Sequence, residues 1–172
     1  WHGVLKQGHG DELLTRLGEP QLRARIVSAK IPSHVAQREA SMLRARLGLR
    51  ADEITIDEVA SPGPGNAVML RLGFGEVTEL VSGLGDRGIR AENVAGNVAN
   101  EAEELLTANV PIGEHLADQL LIPMALARGG AFRTMTPSLH TRTNAQVIEQ
   151  FLPVQFAMRE DAGAWRIEVQ SR

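Results

Sequence analysis

A polar group in residues 113–121 is one of two places where residue types and spacing could do chemistry. His115, Asp118 and Gln119 stand at positions i, i+3 and i+4 of a predicted helix, so they share one helix face. An imidazole, a carboxylate and an amide on one patch near a helix start could hold a ligand. A solvated polar helix face has the same pattern, and spacing alone favours that simpler interpretation.

The second place is the polar segment PSLHTRTN at residues 137–144, which we predict to be a loop between a strand and a helix. His140 could act as a nucleophile, because a neutral imidazole has a free lone pair near pH 7. Asp118 is the candidate acceptor that would fix its tautomer. Arg142 could pair with a phosphate. Alternatively, Thr143 or Asn144 caps the helix and His140 is a surface residue.

Composition excludes several other kinds of site. The chain contains no cysteine, which rules out a disulfide scaffold and a zinc–thiolate centre. It has no P-loop, no nucleophile-elbow serine and no paired-histidine metal motif. Its formal net charge of −3 argues against nucleic-acid binding through the overall field, so any RNA contact has to be local.

Strands and helices that must position these residues are interleaved along the chain. Residues 1–20 receive little predicted structure. Ser33 is the candidate N-cap of the first helix, and Gly48 is its predicted end. This order indicates an α/β fold with α+β layering and domain boundaries near residues 31–33 and 108–113. Strands are predicted at residues 22–29, 53–59, 67–74, 77–82, 131–135, 155–159 and 165–169, and further helices at 91–106, 115–127 and 144–151. Gly129 and Gly130 are expected to end the helix at 115–127, and the last two strands are expected to form a hairpin around residues 161–163.

The N-terminus and the hydropathy profile bear on where the protein is located. Residues 1–10 have no apolar central region, so we expect no signal peptide there. No apolar run approaches the length of a membrane span. We therefore expect a cytoplasmic protein without membrane contact, and the absence of an initiator methionine suggests a fragment.

Several segments together resemble the RNA 3'-terminal phosphate cyclase family. The strings GEHLADQL at 113–120 and SLHTRTN at 138–144 resemble its C-terminal signature. IPSHVAQRE at 31–39 and GPGN at 63–66 resemble two segments of its inserted small domain, and QFLPV at 150–154 resembles its closing stretch. The resemblance runs in register from about residue 31 to residue 169.

The resemblance implies an activity in RNA processing. Members of the family use ATP to convert an RNA 3'-phosphate end into a 2',3'-cyclic phosphate, assisted by Mg²⁺ or Mn²⁺. His140 matches the nucleophile that becomes adenylylated, and Asp118 and Gln119 match positions beside the nucleotide. His115 falls where an aromatic side chain commonly stacks on the adenine. A branch of ribosome-assembly proteins in the family lacks the nucleophilic histidine, and His140 argues against that branch.

The resemblance also implies a domain plan. A large domain of repeated α/β units, similar to the C-terminal domain of translation initiation factor 3, carries an inserted small α/β domain. Residues 1–30 would end one part of the large domain, residues 31–108 would form the insert, and residues 109–172 would be the C-terminal part of the catalytic domain. The N-terminal half of the family is missing here, so we expect exposed apolar surface and no activity from this chain alone. A non-catalytic RNA- or ribosome-associated scaffold and a nucleotide-binding fragment remain the alternatives.

Overall fold

The computed structural model describes residues 19–75 and 77–172, and the predictions made for residues 1–18 and for Glu76 lie outside that range. The chain divides into two compact units. The first unit, here called the four-stranded unit, consists of Glu19–Gly73 and Thr78–Thr107. The second, the three-stranded unit, includes Phe74–Val77 and Ala108–Arg172.

The first half of the described chain forms a four-stranded sheet and two α-helices. The elements in chain order are β1 (Gln21–Ala29), α1 (Ser33–Leu47), β2 (Ile54–Glu58), β3 (Gly65–Phe74), β4 (Val77–Leu84) and α2 (Ala91–Ala108). The sheet has the strand order β2-β1-β3-β4, in which β1 runs parallel to β2 and antiparallel to β3.

Alternation of side chains decides which face of this sheet is buried. In β1, Ala24 and Ile26 are buried while Arg23 and Arg25 are exposed, as expected for a strand with one covered face. Helix α1 packs on β1. Helix α2 approaches β4 at Gly83, where an added Cβ atom would lie 2.9 Å from the side chain of Val98. Close packing of helix on strand therefore requires a glycine there.

The remaining elements build the three-stranded unit. They are α3 (Glu114–Ala127), β5 (Ala131–Thr134), α4 (Leu139–Phe151), β6 (Val154–Asp161) and β7 (Ala164–Ser171). The antiparallel sheet has the order β5-β7-β6, and α3 and α4 pack against each other. Phe132 and Ile167 of the sheet share a buried core with Leu121 of α3 and Ala145 of α4.

The predicted α/β class with α+β layering is confirmed, and the likeness to translation initiation factor 3 stays a prediction. Two helix ends differ from expectation. Pro32, not Ser33, is the N-cap of α1, and no side chain caps it. The left-handed residue that ends α3 is Arg128, with φ of 57°, and not one of the two glycines that follow.

The four-stranded unit begins at Glu19, because β1 pairs with both β2 and β3 and so belongs inside that sheet. The division into residues 1–30, 31–108 and 109–172 stays a prediction. The start of one helix differs from expectation. Helix α4 begins at Leu139, whereas a loop was predicted as far as Asn144. Among the described helices, none combines the length and the apolar character that a membrane crossing requires.

Candidate active site

The start of α4 is built by a serine cap, and this cap determines where His140 lies. The Oγ atom of Ser138 accepts a hydrogen bond from the backbone N–H of Thr141 at 3.3 Å. The hydroxyl groups of the same two residues lie 3.1 Å apart. The loop prediction was wrong because Ser138, and not Thr143 or Asn144, supplies the cap. His140 is therefore the second residue of the helix, and its side chain is exposed.

Arg142 fixes this helix start to the sheet. Its Nε atom donates to the carbonyl oxygen of Pro137 at 3.2 Å. Its guanidinium carbon lies 4.9 Å from the centroid of the Trp165 ring, a cation–π contact. Because Trp165 belongs to β7, the first turn of α4 is anchored both to its own preceding loop and to a rigid sheet. This anchoring limits the motion of His140.

Asp118 is tied to the same helix through an amide. The Nδ2 atom of Asn144 donates to Oδ1 of Asp118 at 2.7 Å, which links α4 to α3. Asn144 lies one turn after His140, so the two side chains share a face of α4, about 6 Å apart along its axis. The hydrogen bond thus connects Asp118, on α3, to the helix that carries His140. Direct orientation of His140 by Asp118 stays a prediction.

The other predicted site residues lie on α3. His115 is the second residue of that helix, and Gln119 follows one turn later; both side chains are exposed. With Asp118 between them, the helix gives all three the common face that their spacing indicated. Their contacts with a nucleotide stay predictions.

The electrostatics of the α4 start suit an anion. The first turn of α4 contains no acidic residue. Its first backbone N–H groups have no partner within the helix, and the helix dipole adds partial positive charge at the same point. Phosphate groups bind at such helix starts. Within the described range, no three His, Cys, Asp or Glu side chains are grouped so that they could hold a metal ion.

Asn144 is the site residue that sequence reasoning missed. It was considered only as a helix cap, because the helix was expected to begin there. Had the Ser138 cap been recognised, the spacing of four residues from His140 would have placed Asn144 on the histidine's face.

Comparison with known proteins identifies the family. A model of the family described as RNA 3'-terminal phosphate cyclase matches residues 2–158, and the chain belongs to that family.

Three relatives show how much of a family member the chain represents. Each is called RNA 3'-terminal phosphate cyclase. The protein from Pseudomonas fluorescens is 44% identical over 140 residues, which cover 80% of this chain and 40% of that protein. The one from Salmonella agona is 40% identical over 151 residues, covering 88% and 44%. The one from Pseudomonas aeruginosa is 38% identical over 186 aligned residues, covering 99% and 54%. The chain therefore spans about half the length of these relatives.

Proposed function

We propose that the intact protein uses ATP to convert an RNA 3'-phosphate end into a 2',3'-cyclic phosphate, with His140 as the residue that accepts AMP. The observation that carries the proposal is an exposed histidine in the anchored first turn of α4, within a chain of this family. The names of the relatives support the same reaction for the family.

The proposed reaction has three balanced steps. A ring nitrogen of neutral His140 attacks the α-phosphorus of ATP, an N–P bond forms and pyrophosphate leaves. An oxygen of the RNA 3'-phosphate then attacks the AMP phosphorus, the N–P bond breaks, and the imidazole returns to its neutral form. Finally the 2'-hydroxyl oxygen attacks the 3'-phosphorus and loses its proton, the cyclic ester forms, and AMP leaves.

The surrounding residues have separate roles in this proposal. The start of α4 stabilises the negative charge that develops on the α-phosphate. Asp118 and Asn144 hold the two helices in register, so the imidazole meets the phosphorus in a fixed orientation. His115 stacks on the adenine, and Gln119 lies beside the nucleotide. Mg²⁺ or Mn²⁺ would neutralise the triphosphate, and we assign it no step because the described residues show no site for it.

Exposed apolar side chains support the further proposal that this segment does not act alone. Soluble monomers seldom leave many large apolar residues uncovered on one helix pair. Helices α3 and α4 expose five, with exposed fractions of 44–80%: Ile122, Leu126, Leu139, Val147 and Phe151. We propose that residues outside this segment cover them and complete the site, as the greater length of the relatives also suggests.

Adenylylation of the protein tests the proposal. The intact protein, expressed from its complete reading frame, is incubated with α-labelled ATP and Mg²⁺ or Mn²⁺. We expect label on the protein that is acid-labile and alkali-stable, as a phosphoramidate is, and no label on His140→Ala. His34→Ala is a matched control, because His34 is also exposed and is also the second residue of its helix.

The outcomes separate the alternatives. Label on the wild type and on His34→Ala, but not on His140→Ala, supports the enzyme. An unlabelled wild type that still binds RNA would instead favour the non-catalytic scaffold. Labelling of the 172-residue segment by itself would contradict the proposal that further residues complete the site.

A further inference from the structure

Both helices of the four-stranded unit lie on the same face of its sheet. Helix α1 packs on β1, α2 meets β4 at Gly83, and an ion pair between Arg38 and Glu92 joins the two helices. On that face, Ala24 of β1 and its cross-strand partner Leu70 of β3 are both buried. Residues at the alternate strand positions point to the opposite face, which neither helix covers. We call it the open face, and its members include Arg23, Arg25, Asp57, Met69, Arg71, Thr78, Leu80 and Leu84.

The open face is divided into a basic strip and an apolar strip. In the basic strip, Arg23 of β1 pairs with Arg71 of β3, and Arg25 stands two positions after Arg23. Direct cross-strand partners carry their Cβ atoms about 5 Å apart, so the three guanidinium groups leave the sheet in one patch. The apolar strip follows the neighbouring edge strand β4, where Leu80 and Leu84 are 57% and 75% exposed.

Arg71 is the arginine of the basic strip whose charge is least compensated. Its Nη2 atom lies 3.4 Å from Oγ1 of Thr78, and no carboxylate in residues 19–75 or 77–172 forms an ion pair with it. Arg25, by contrast, is paired with Asp57, with 2.6 Å between its Nε atom and Oδ2. The charge of Arg71, which is exposed on a central strand, is therefore accessible to an anion from outside.

Arg23 is compensated only at the rim of the open face. Its Nη1 atom donates to the backbone carbonyl oxygen of Asp52 at 3.2 Å. The carboxylates of Asp52 and Glu53 are bound by Arg50, at 3.3 Å and 3.1 Å. Because two rim carboxylates thus stand against Arg50 and Arg23, the one positive charge in excess lies at Arg71.

A solvated sheet face is the simpler interpretation of exposed charged residues. It does not account for the pairing of Arg23 with Arg71, because like charges directly opposite each other destabilise a sheet. An anion that both guanidinium groups bind would replace this repulsion by attraction. A protein partner matches the open face less well, since the centres of protein interfaces are rich in aromatic residues and no aromatic side chain of the described strands faces this side.

We propose that the open face binds single-stranded RNA, with backbone phosphates on the basic strip and unpaired bases on the apolar strip. Guanidinium groups donate two parallel hydrogen bonds to phosphate oxygens. The bases of a single strand are uncovered and can pack on apolar side chains, whereas a duplex hides its base faces and would contact only the basic strip. Neighbouring strands of a sheet lie about 4.8 Å apart, so one nucleotide can reach both strips. The proposal rests on the proposed function in that RNA is the substrate.

The test measures RNA binding by the intact protein. A fluorescent single-stranded RNA of about ten nucleotides with a 3'-hydroxyl end is titrated at several salt concentrations, and its anisotropy is followed. We expect Arg71→Gln and Arg23→Gln each to weaken binding by about three- to tenfold. The slope of log K against log salt should become shallower by about 0.7 for each phosphate that the variant no longer binds. Leu80→Ser should weaken binding by about two- to fivefold with an unchanged slope, because it removes apolar contact and no charge.

Arg44→Gln is the matched control, because Arg44 is exposed on α1, on the covered side of the sheet, and the substitution changes the net charge equally. Equal loss of RNA affinity in Arg44→Gln, or unchanged affinity in all three open-face variants, overturns the proposal. A duplex RNA of the same sequence that binds as tightly as the single strand also overturns it. Displacement of the RNA by inorganic phosphate or by a polyglutamate peptide at matched ionic strength would show that the open face binds anions of any kind, and would overturn the RNA assignment.

Labelling with α-labelled ATP on the same preparations keeps the two proposals distinguishable. The open-face variants should be adenylylated like the wild type, which also shows that they are folded. Weakened RNA binding in these variants together with an unlabelled wild type would support the open face as an RNA site while contradicting the histidine nucleophile.

Discussion

Burial of the Glu39 carboxyl group should make the stability of the four-stranded unit depend on pH. The Glu39 side chain in α1 is fully buried. Its Oε1 atom accepts a hydrogen bond from Nδ2 of Asn66, and its Oε2 atom has no hydrogen-bond partner among the described residues. Burial raises the pKa of Glu39 from 4.5 to about 7, although the bond from Asn66 acts in the opposite direction.

The direction and size of the effect follow from proton linkage. Between pH 4.5 and about 7, the folded state holds a proton on Glu39 that the unfolded state has released. The free energy of unfolding therefore falls as pH rises through this window. Each pKa unit corresponds to about 1.4 kcal/mol, so the full loss is about 3 kcal/mol. Stability from this group is fully present below pH 4.5 and is lost above pH 7.

Glu39→Gln removes the ionisable group while it keeps the shape and one acceptor. We expect the variant to lose the fall in stability between about pH 5 and pH 7.5, and to be more stable than the wild type at the upper end. Urea unfolding followed by far-UV circular dichroism gives the free energies. Hydrogen exchange at β1 and β3 amides assigns the change to this sheet. Tryptophan fluorescence is unsuitable, because Trp165 lies in the other unit.

Glu104→Gln is the control for this experiment, because Glu104 lies on α2, outside the buried core, and undergoes the same chemical change. Its stability curve should run parallel to that of the wild type. A wild-type stability that stays level between about pH 5 and pH 7.5, or a Glu39→Gln variant that keeps the wild-type slope, would refute the reasoning.

Two further predictions follow from contacts within single units. Gly85→Ala should destabilise the four-stranded unit by about 1–3 kcal/mol in urea unfolding, because its Cβ atom would collide with Oδ1 of Asn66. Gly63→Ala, with open space around it, should be nearly neutral, and equal losses in both variants would contradict this account. Asp118→Asn and Asn144→Ala should each slow adenylylation by roughly a hundredfold through a misplaced imidazole, with circular dichroism unchanged. A normal rate in either variant would remove that residue from the mechanism.

Local patterns predicted most of the strands and the class of the fold, because alternation and turn residues act over short distances. The predicted hairpin near residues 161–163 and the end of α1 at Gly48 are confirmed, Gly48 having a φ of 67°. The start of α4 was missed because Ser138, Thr143 and Asn144 are all good caps, and the local sequence does not distinguish among them.

Long-range pairing could not be predicted from these patterns. Nothing local in residues 21–29 shows that the strand lies in the middle of a sheet, because its partners come later in the chain. The cross-strand pairing of Arg166 with Arg133 and with Arg159 likewise depends on the register of three strands. His140 was singled out by a family resemblance, and the hydrogen bond between Asp118 and Asn144 became visible only with the helices in place.

The central position of β1 has a consequence for synthesis of the chain. Gln21 pairs with Gly73, so the strand cannot complete its antiparallel ladder until residue 73 has left the ribosome. At about 5–20 residues per second, that delay is roughly 3 to 10 seconds. Until β2 has emerged, β1 offers two unpaired edges to any extended segment nearby, and afterwards it still offers the edge that later pairs with β3. Co-translational folding of this unit should therefore be slow to begin, and chaperones that bind extended chains should engage it at β1.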